Sequence, residues 1–117
     1  MELKLTDLVT NETINLERER TYVLGRHRDN SIPIPSIKSR GNLSAAQREL
    51  AMTVSNYHAE LDIRGESVKI RDRKSSNGTY LVKDGKQEEE RVTADWCEVQ
   101  PGTIIKLGHD YGLSLNQ

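Results

Sequence analysis

Three short stretches of this 117-residue chain combine side chains able to grip an oxyanion. Gly25-Arg26 ends one apolar run, Ser55-Asn56-Tyr57-His58 precedes another, and Ser75-Ser76-Asn77-Gly78-Thr79 precedes a third. A guanidinium presents a planar fork of N–H donors, so Arg26 could bond an anion if one were presented to it. Ser55 adds a hydroxyl donor on a short side chain, and Asn56 adds a backbone N–H and an amide. Gly25 has no side chain, so a loop can place Arg26 there without a clash. Each stretch alone also has a plainer reading. An Arg after a strand is usually a surface charge, Asn-Gly is a common hairpin turn, and a His that opens a strand is usually structural.

Short strands separated by turn residues must position these groups, a pattern that points to an all-β sandwich or barrel. Leu3 and Leu5 alternate with polar neighbours, Ile14 and Leu16 follow the Thr10-Asn11-Glu12 turn, and Tyr22-Val23-Leu24 leads into Gly25-Arg26. Ile32-Pro33-Ile34-Pro35 also alternates, but its prolines cannot donate to a ladder, which makes it an edge or a short strand. The clearest hairpin runs from Leu61 to Asp72 about a Gly65-Glu66-Ser67 turn. Thr79–Val82, bounded by the Asn77-Gly78 and Asp84-Gly85 turns, Arg91–Thr93, Thr103–Leu107 and Tyr111–Leu115 follow. Glu88-Glu89-Glu90 reads as a solvated hairpin turn, and Cys97 as part of a buried or half-buried strand. One segment breaks the pattern: Ser44, with Gln47 three positions on, forms a capping box that opens a helix through Met52. Ser36–Leu43 before it reads as loop.

Composition excludes several classes. The 17 basic and 18 acidic residues nearly cancel, against bulk electrostatic binding of nucleic acid, and no aromatic platform stands out. The hydrophobic fraction is 34%, without a single Phe, so the core must be aliphatic and thin. No apolar run reaches the roughly 18–20 residues that span a bilayer, and the first residues do not resemble a secretory signal. The single cysteine, Cys97, permits no internal disulfide, and His27, His58 and His109 lack ligand-like spacing. We therefore expect no metal, no cofactor, no membrane association and no catalysis, in an intracellular setting, cytoplasmic or nuclear.

Taken in this order, the motifs resemble those of the forkhead-associated (FHA) domain family. Tyr22-Val23-Leu24-Gly25-Arg26 is similar to its strand-Gly-Arg signature, and Asp29–Ile34 to the strand that follows. Ser55-Asn56-Tyr57-His58 is similar to its Ser-x-x-His signature, and Ser76-Asn77-Gly78-Thr79 to its Asn-Gly-Thr one. The resemblance covers nearly the whole chain and implies one domain over 1–117, a β-sandwich of about ten to eleven short strands with a helical insertion near 44–52. It implies a module that binds a phosphothreonine-containing protein or peptide, within Ser/Thr kinase signalling, through loops at one end. Arg26, Ser55 and Asn56 would hold the phosphate. Asn77 would hold the peptide main chain, and Ser76 would border the slot for the threonine methyl. Gly25, His58 and Gly78 would support the loops, His58 bracing them from below without touching phosphate.

The chain departs from the family in one place. The gap between Arg26 and Ser55 is about twice the usual length, with the excess at about 35–52. This insertion lies beside the phosphate loops, so Lys38 and Arg40 are possible walls of the peptide groove; the alternative is a surface excursion that covers a sheet edge. Charge is consistent with the placement: six basic residues face two acidic ones from Arg18 to Arg40, and the balance reverses from Asp84 to Glu98. The competing function is a phospho-independent scaffold or oligomerisation domain that uses a sheet face or the inserted helix.

Overall fold

In the computed structural model, which describes residues 2–83 and 88–117, eleven strands form two sheets. One sheet contains β1 (Leu3–Asp7), β2 (Thr13–Leu16), β7 (Thr79–Val82), β8 (Glu89–Arg91), β10 (Ile104–Leu107) and β11 (Tyr111–Asn116), in the order β2-β1-β11-β10-β7-β8. The other contains β3 (Arg20–Gly25), β4 (Ile32–Pro33), β5 (Ala59–Arg64), β6 (Ser67–Asp72) and β9 (Cys97–Glu98), in the order β4-β3-β5-β6-β9. The all-β reading is correct, as is the edge role of the proline-rich strand: β4 pairs only with β3, in parallel.

Period-two alternation builds the core. Leu3, Leu5, Leu81, Ile105, Leu107, Leu113 and Leu115 point inward from one sheet, and Leu24, Leu61, Ile63, Val68 and Ile70 from the other. Tyr22 and Tyr111 are the buried aromatics; the rest of the core is aliphatic, as the composition requires. Each buried aliphatic side chain stabilises the fold by about 1.5–3 kcal/mol relative to exposure, so a long series of small contributions stands in for aromatic bulk. Tyr111 meets its polar need inside: its hydroxyl donates to Asp7 Oδ2 at 2.6 Å, and Asp7 Oδ1 accepts the Val9 and Thr10 N–H groups of the β1–β2 turn.

Several local readings change. The β5–β6 turn uses only Gly65-Glu66, because Ser67 already pairs with Arg64. The acidic run is not a turn: Glu89 and Glu90 lie in β8, opposite Val82 and Leu81, and Glu89 pairs with Lys106. An edge strand with one wet face accepts charges that a sequence reading assigns to a loop. Val92 and Thr93 continue past β8 and bond to Thr79 and Asp72 without extending the ladder. The Asp84-Gly85 turn lies outside the described residues. The insertion is a short 3-10 helix over Ile37–Asn42 followed by helix α1, Ala45–Met52. The first of these replaces the expected loop. The second is as expected, with both hydrogen bonds of the Ser44–Gln47 capping box present. No helix among the described residues is long and apolar enough to cross a membrane.

Candidate functional site

Four connections meet at one end of the sandwich: β3–β4, the inserted β4–β5 segment, β6–β7 and β10–β11. Their backbones are tied to one another directly. Arg26 N–H donates to the Ser55 carbonyl at 3.0 Å and His27 N–H to the Asn56 carbonyl at 3.2 Å. The Asn30 amide donates to the same Asn56 carbonyl at 2.7 Å. Gly25 is required by this approach, since a Cβ there would lie 2.2 Å from the Asn56 oxygen and 2.8 Å from that of Ser55. Gly78, at φ +90°, makes the β6–β7 turn, and its N–H is capped by Ser75 Oγ.

His58 fastens two of these loops together. Its Nδ1 accepts the Ser55 N–H at 2.9 Å, so the ring proton sits on Nε2, which donates to the Gly78 carbonyl at 2.7 Å. The side chain is fully buried. Burial lowers its pKa below the usual imidazole value and outweighs the Gly78 carbonyl and Asp72, which act the other way; the ring is neutral in this arrangement. Asp72 organises the same region from beneath, accepting from the Ser75 N–H and hydroxyl and from the Thr79 hydroxyl. Burial raises the Asp72 pKa, but those hydrogen bonds prevail and hold it below the usual carboxylate value.

The structure brings Arg26, Ser55, Asn56, Ser76 and Asn77 to this one end. Ser55 Oγ accepts the Ser76 N–H at 3.0 Å, and its own hydroxyl proton has no acceptor among the described residues. Arg26 spends Nε on the Val54 carbonyl and leaves both Nη groups uncommitted among the described residues. Asn56 is exposed, and neither its side-chain amide nor its N–H is bonded within the described chain. Asn77 donates its amide to the Thr53 carbonyl at 2.9 Å, which leaves Oδ1 as an unspent acceptor. No buried side-chain nitrogen or oxygen among the described residues lacks a partner, so the uncommitted groups belong to the solvent-facing surface.

The two insertion residues separate. Arg40 turns toward the site, donating through Nε to the Pro35 carbonyl at 3.1 Å and through an Nη to the Arg26 carbonyl at 2.6 Å. Lys38 instead pairs with Glu12 at 3.7 Å, on the β1–β2 turn. Three participants were not singled out from sequence. Thr53, at the end of α1, accepts from Asn77 and from the His109 N–H, and a Cβ on Gly108 would lie 2.5 Å from it. Asp72 stands three residues before Ser75, a spacing suited to a side-chain cap and readable in principle. Arg48, in α1, lines a cavity of about 400 Å³ together with Arg26, Arg40 and Asn56. Nothing in its sequence context marks it.

Comparison with known proteins agrees with this fold. The chain is similar to the FHA domain of the CT664 protein from Chlamydia trachomatis, with a TM-score of 0.70 and 19% identity over 100% of this chain and 98% of that one. It is similar to an FHA domain studied for phosphothreonine-dependent interactions, with a TM-score of 0.69 and 19% identity over 100% and 97% of the two chains. It is also similar to the FHA domain of human APLF in complex with an XRCC1 bisphospho peptide, with a TM-score of 0.70 and 18% identity over 100% and 99%. No curated protein matches by sequence. The FHA domain family model matches residues 22–108, a stretch that begins at the strand leading to Arg26 and ends at the glycine packed on Thr53, and the chain belongs to that family.

Proposed function

We propose that the loop end binds phosphothreonine in a partner protein, and that the chain works as one recognition module, within the cell, without chemistry of its own. The observation that carries this is the set of uncommitted donors on adjacent loops: the Arg26 Nη groups, the Ser55 hydroxyl and the exposed Asn56. A phosphothreonine brings nearly two negative charges and three acceptor oxygens, which fits such a set in number and sign. Asn77 Oδ1 accepts a peptide N–H beside it, and Ser76 borders the threonine methyl. Hydrogen bonds through His58, Asp72 and Thr53 hold the loops before any ligand arrives, so little ordering cost is left for binding. The FHA domain of human APLF, seen in complex with a bisphospho peptide, supports the reading of this fold as a phosphopeptide-binding module.

The test is a titration of a phosphothreonine peptide library against its unphosphorylated twin, with variants at two positions. Hydrogen bonds to a charged group are worth about 1.5–3 kcal/mol each, so Arg26→Ala loses about tenfold to a hundredfold in affinity, or more. Ser55→Ala removes one donor and loses less. Full-strength binding of a phosphothreonine peptide by Arg26→Ala would overturn the reading.

A further inference from the structure

We propose that Arg40 and Arg48, both carried by the insertion, form a second phosphate subsite beside Arg26, so that the preferred ligand is a peptide phosphorylated at two nearby residues. This rests on the reading of Arg26, Ser55 and Asn77 given above and adds to it. Arg40 and Arg48 of the insertion line an open pocket of about 400 Å³ together with Arg26 and Asn56. Leu43 and Met52 add apolar wall, and no acidic side chain lines the space.

Three guanidinium groups around one space repel each other, and none of the three has a carboxylate partner among the described residues. Most arginines elsewhere among the described residues do pair: Arg20 with Glu17, Arg64 with Glu19 and Asp62, and Arg71 and Arg73 with Glu60, while Arg28 and Arg91 stand apart from one another without such a partner. The cavity arginines are also held in place. Arg40 is pinned by two carbonyls, and Arg48 donates an Nη to the Leu43 carbonyl at 3.1 Å. The remaining N–H groups of Arg40 are therefore presented at low entropic cost, and Arg48 is partly restrained. Arg26 is already assigned to the first phosphate, so Arg40 and Arg48 offer a fresh pair of cations next to it. A phosphate monoester, with nearly two charges and three oxygens, fits two guanidinium forks better than a carboxylate with one charge and two oxygens.

The experiment uses the intact chain and the best singly phosphorylated peptide from a phosphothreonine library. A phosphoserine, and in parallel a glutamate, is introduced at each flanking position in turn, and affinities are read by fluorescence anisotropy. At one or two positions the second phosphate raises affinity about tenfold or more, and glutamate gives a clearly smaller gain. Arg48→Gln and Arg40→Gln each reduce the gain. Lys69→Gln, which removes a charge from β6, leaves both the affinity for the singly phosphorylated peptide and the gain intact. Absence of a gain at every position overturns the proposal, as does a gain that survives in the Arg40→Gln/Arg48→Gln double variant or one that glutamate reproduces in full. A singly phosphorylated peptide that binds without any gain sinks the second subsite alone. A chain that ignores the singly phosphorylated peptide sinks the phosphothreonine reading, and this proposal with it.

Discussion

His58→Ala separates bracing of the loops from contact with ligand, because the His58 ring is fully buried and its hydrogen bonds among the described residues go to Ser55 and Gly78. The variant removes a ring from a closed site, which costs about 2 kcal/mol in lost burial and cavity formation. It also leaves the Ser55 N–H without its acceptor, a loss of about 1–3 kcal/mol. The Gly78 carbonyl is less affected, since it keeps the Gly108 N–H at 2.9 Å. The sum is about 3–5 kcal/mol, a large share of the roughly 5–15 kcal/mol that holds a small domain together. Urea unfolding followed by the fluorescence of Trp96, which lies under the Arg71 guanidinium, reads the loss as a lowered midpoint. His58→Gln, which can still accept and donate, falls between wild type and alanine. Because Ser55 loses its anchor, phosphopeptide affinity falls too, although His58 reaches no ligand. An alanine variant less than about 1 kcal/mol weaker than wild type, with phosphopeptide affinity unchanged, would refute the bracing role.

Two further predictions follow from the same geometry. Gly25→Ala forces a Cβ onto two backbone carbonyls that cannot swing aside, so it destabilises by about 1–3 kcal/mol or more and weakens phosphopeptide binding by displacing Asn56; a midpoint in urea equal to wild type would show that the approach is not tight. Stability against pH falls in two separate steps. Above about pH 6.5 His58 is neutral in both folded and unfolded chains and contributes no slope, but below that value the unfolded chain takes up a proton that the buried ring refuses, so stability declines until the lowered folded pKa is passed. Asp72 acts at lower pH: its stabilisation is complete above the ordinary carboxylate value and is lost as pH falls through the depressed folded one. Urea midpoints measured across pH show the upper step in wild type and lose it in His58→Gln; its persistence there would assign it to another group.

What the sequence disclosed and what it concealed divide along a physical line. Alternation of apolar side chains is a local signal, and it located nearly all the strands, because an inward-facing Leu or Ile two residues from the next has few other uses. The capping box at Ser44 and Gln47 is equally local, and so is the freedom that Gly25 and Gly78 provide. The 3-10 helix at Ile37–Asn42 has no such marker: it contains no buried residue, its first turn carries no acid and Ser36 makes no side-chain cap. Its support comes from far away in sequence, where Glu12 accepts from the Ser36 and Ser39 hydroxyls. The same holds for Thr53 and Arg48. Thr53 joins two loops that arrive from residues 77 and 109, and Arg48 gains meaning only when α1 is laid against the β3–β4 loop. Glu89 and Glu90 misled for the opposite reason, since charge describes the solvent and not the backbone.

The insertion, read from sequence as either an edge cover or a groove wall, is fixed to the β1–β2 turn and lines the pocket beside Arg26. β4 is only two residues long and forms the edge of its sheet, so the chain leaving it needs some other support. That support is the β1–β2 turn: Glu12 gathers Ser36, Ser39 and Lys38, while the Gln47 amide donates to the Val9 carbonyl at 2.9 Å. Ala51 is buried, Val54 with it, and Thr53 closes the far end of α1. With both of its helices fixed to the frame, the insertion cannot wander, and the arginines it carries stand at set positions relative to Arg26. A loose excursion bearing the same two arginines would have to lose their freedom on binding, at about 0.5–1.5 kcal/mol for each immobilised side chain before any loop ordering is counted. Lys38 and Arg40 differ accordingly: Lys38 meets Glu12 at the surface, where an exposed pair adds little, while Arg40 lines the pocket.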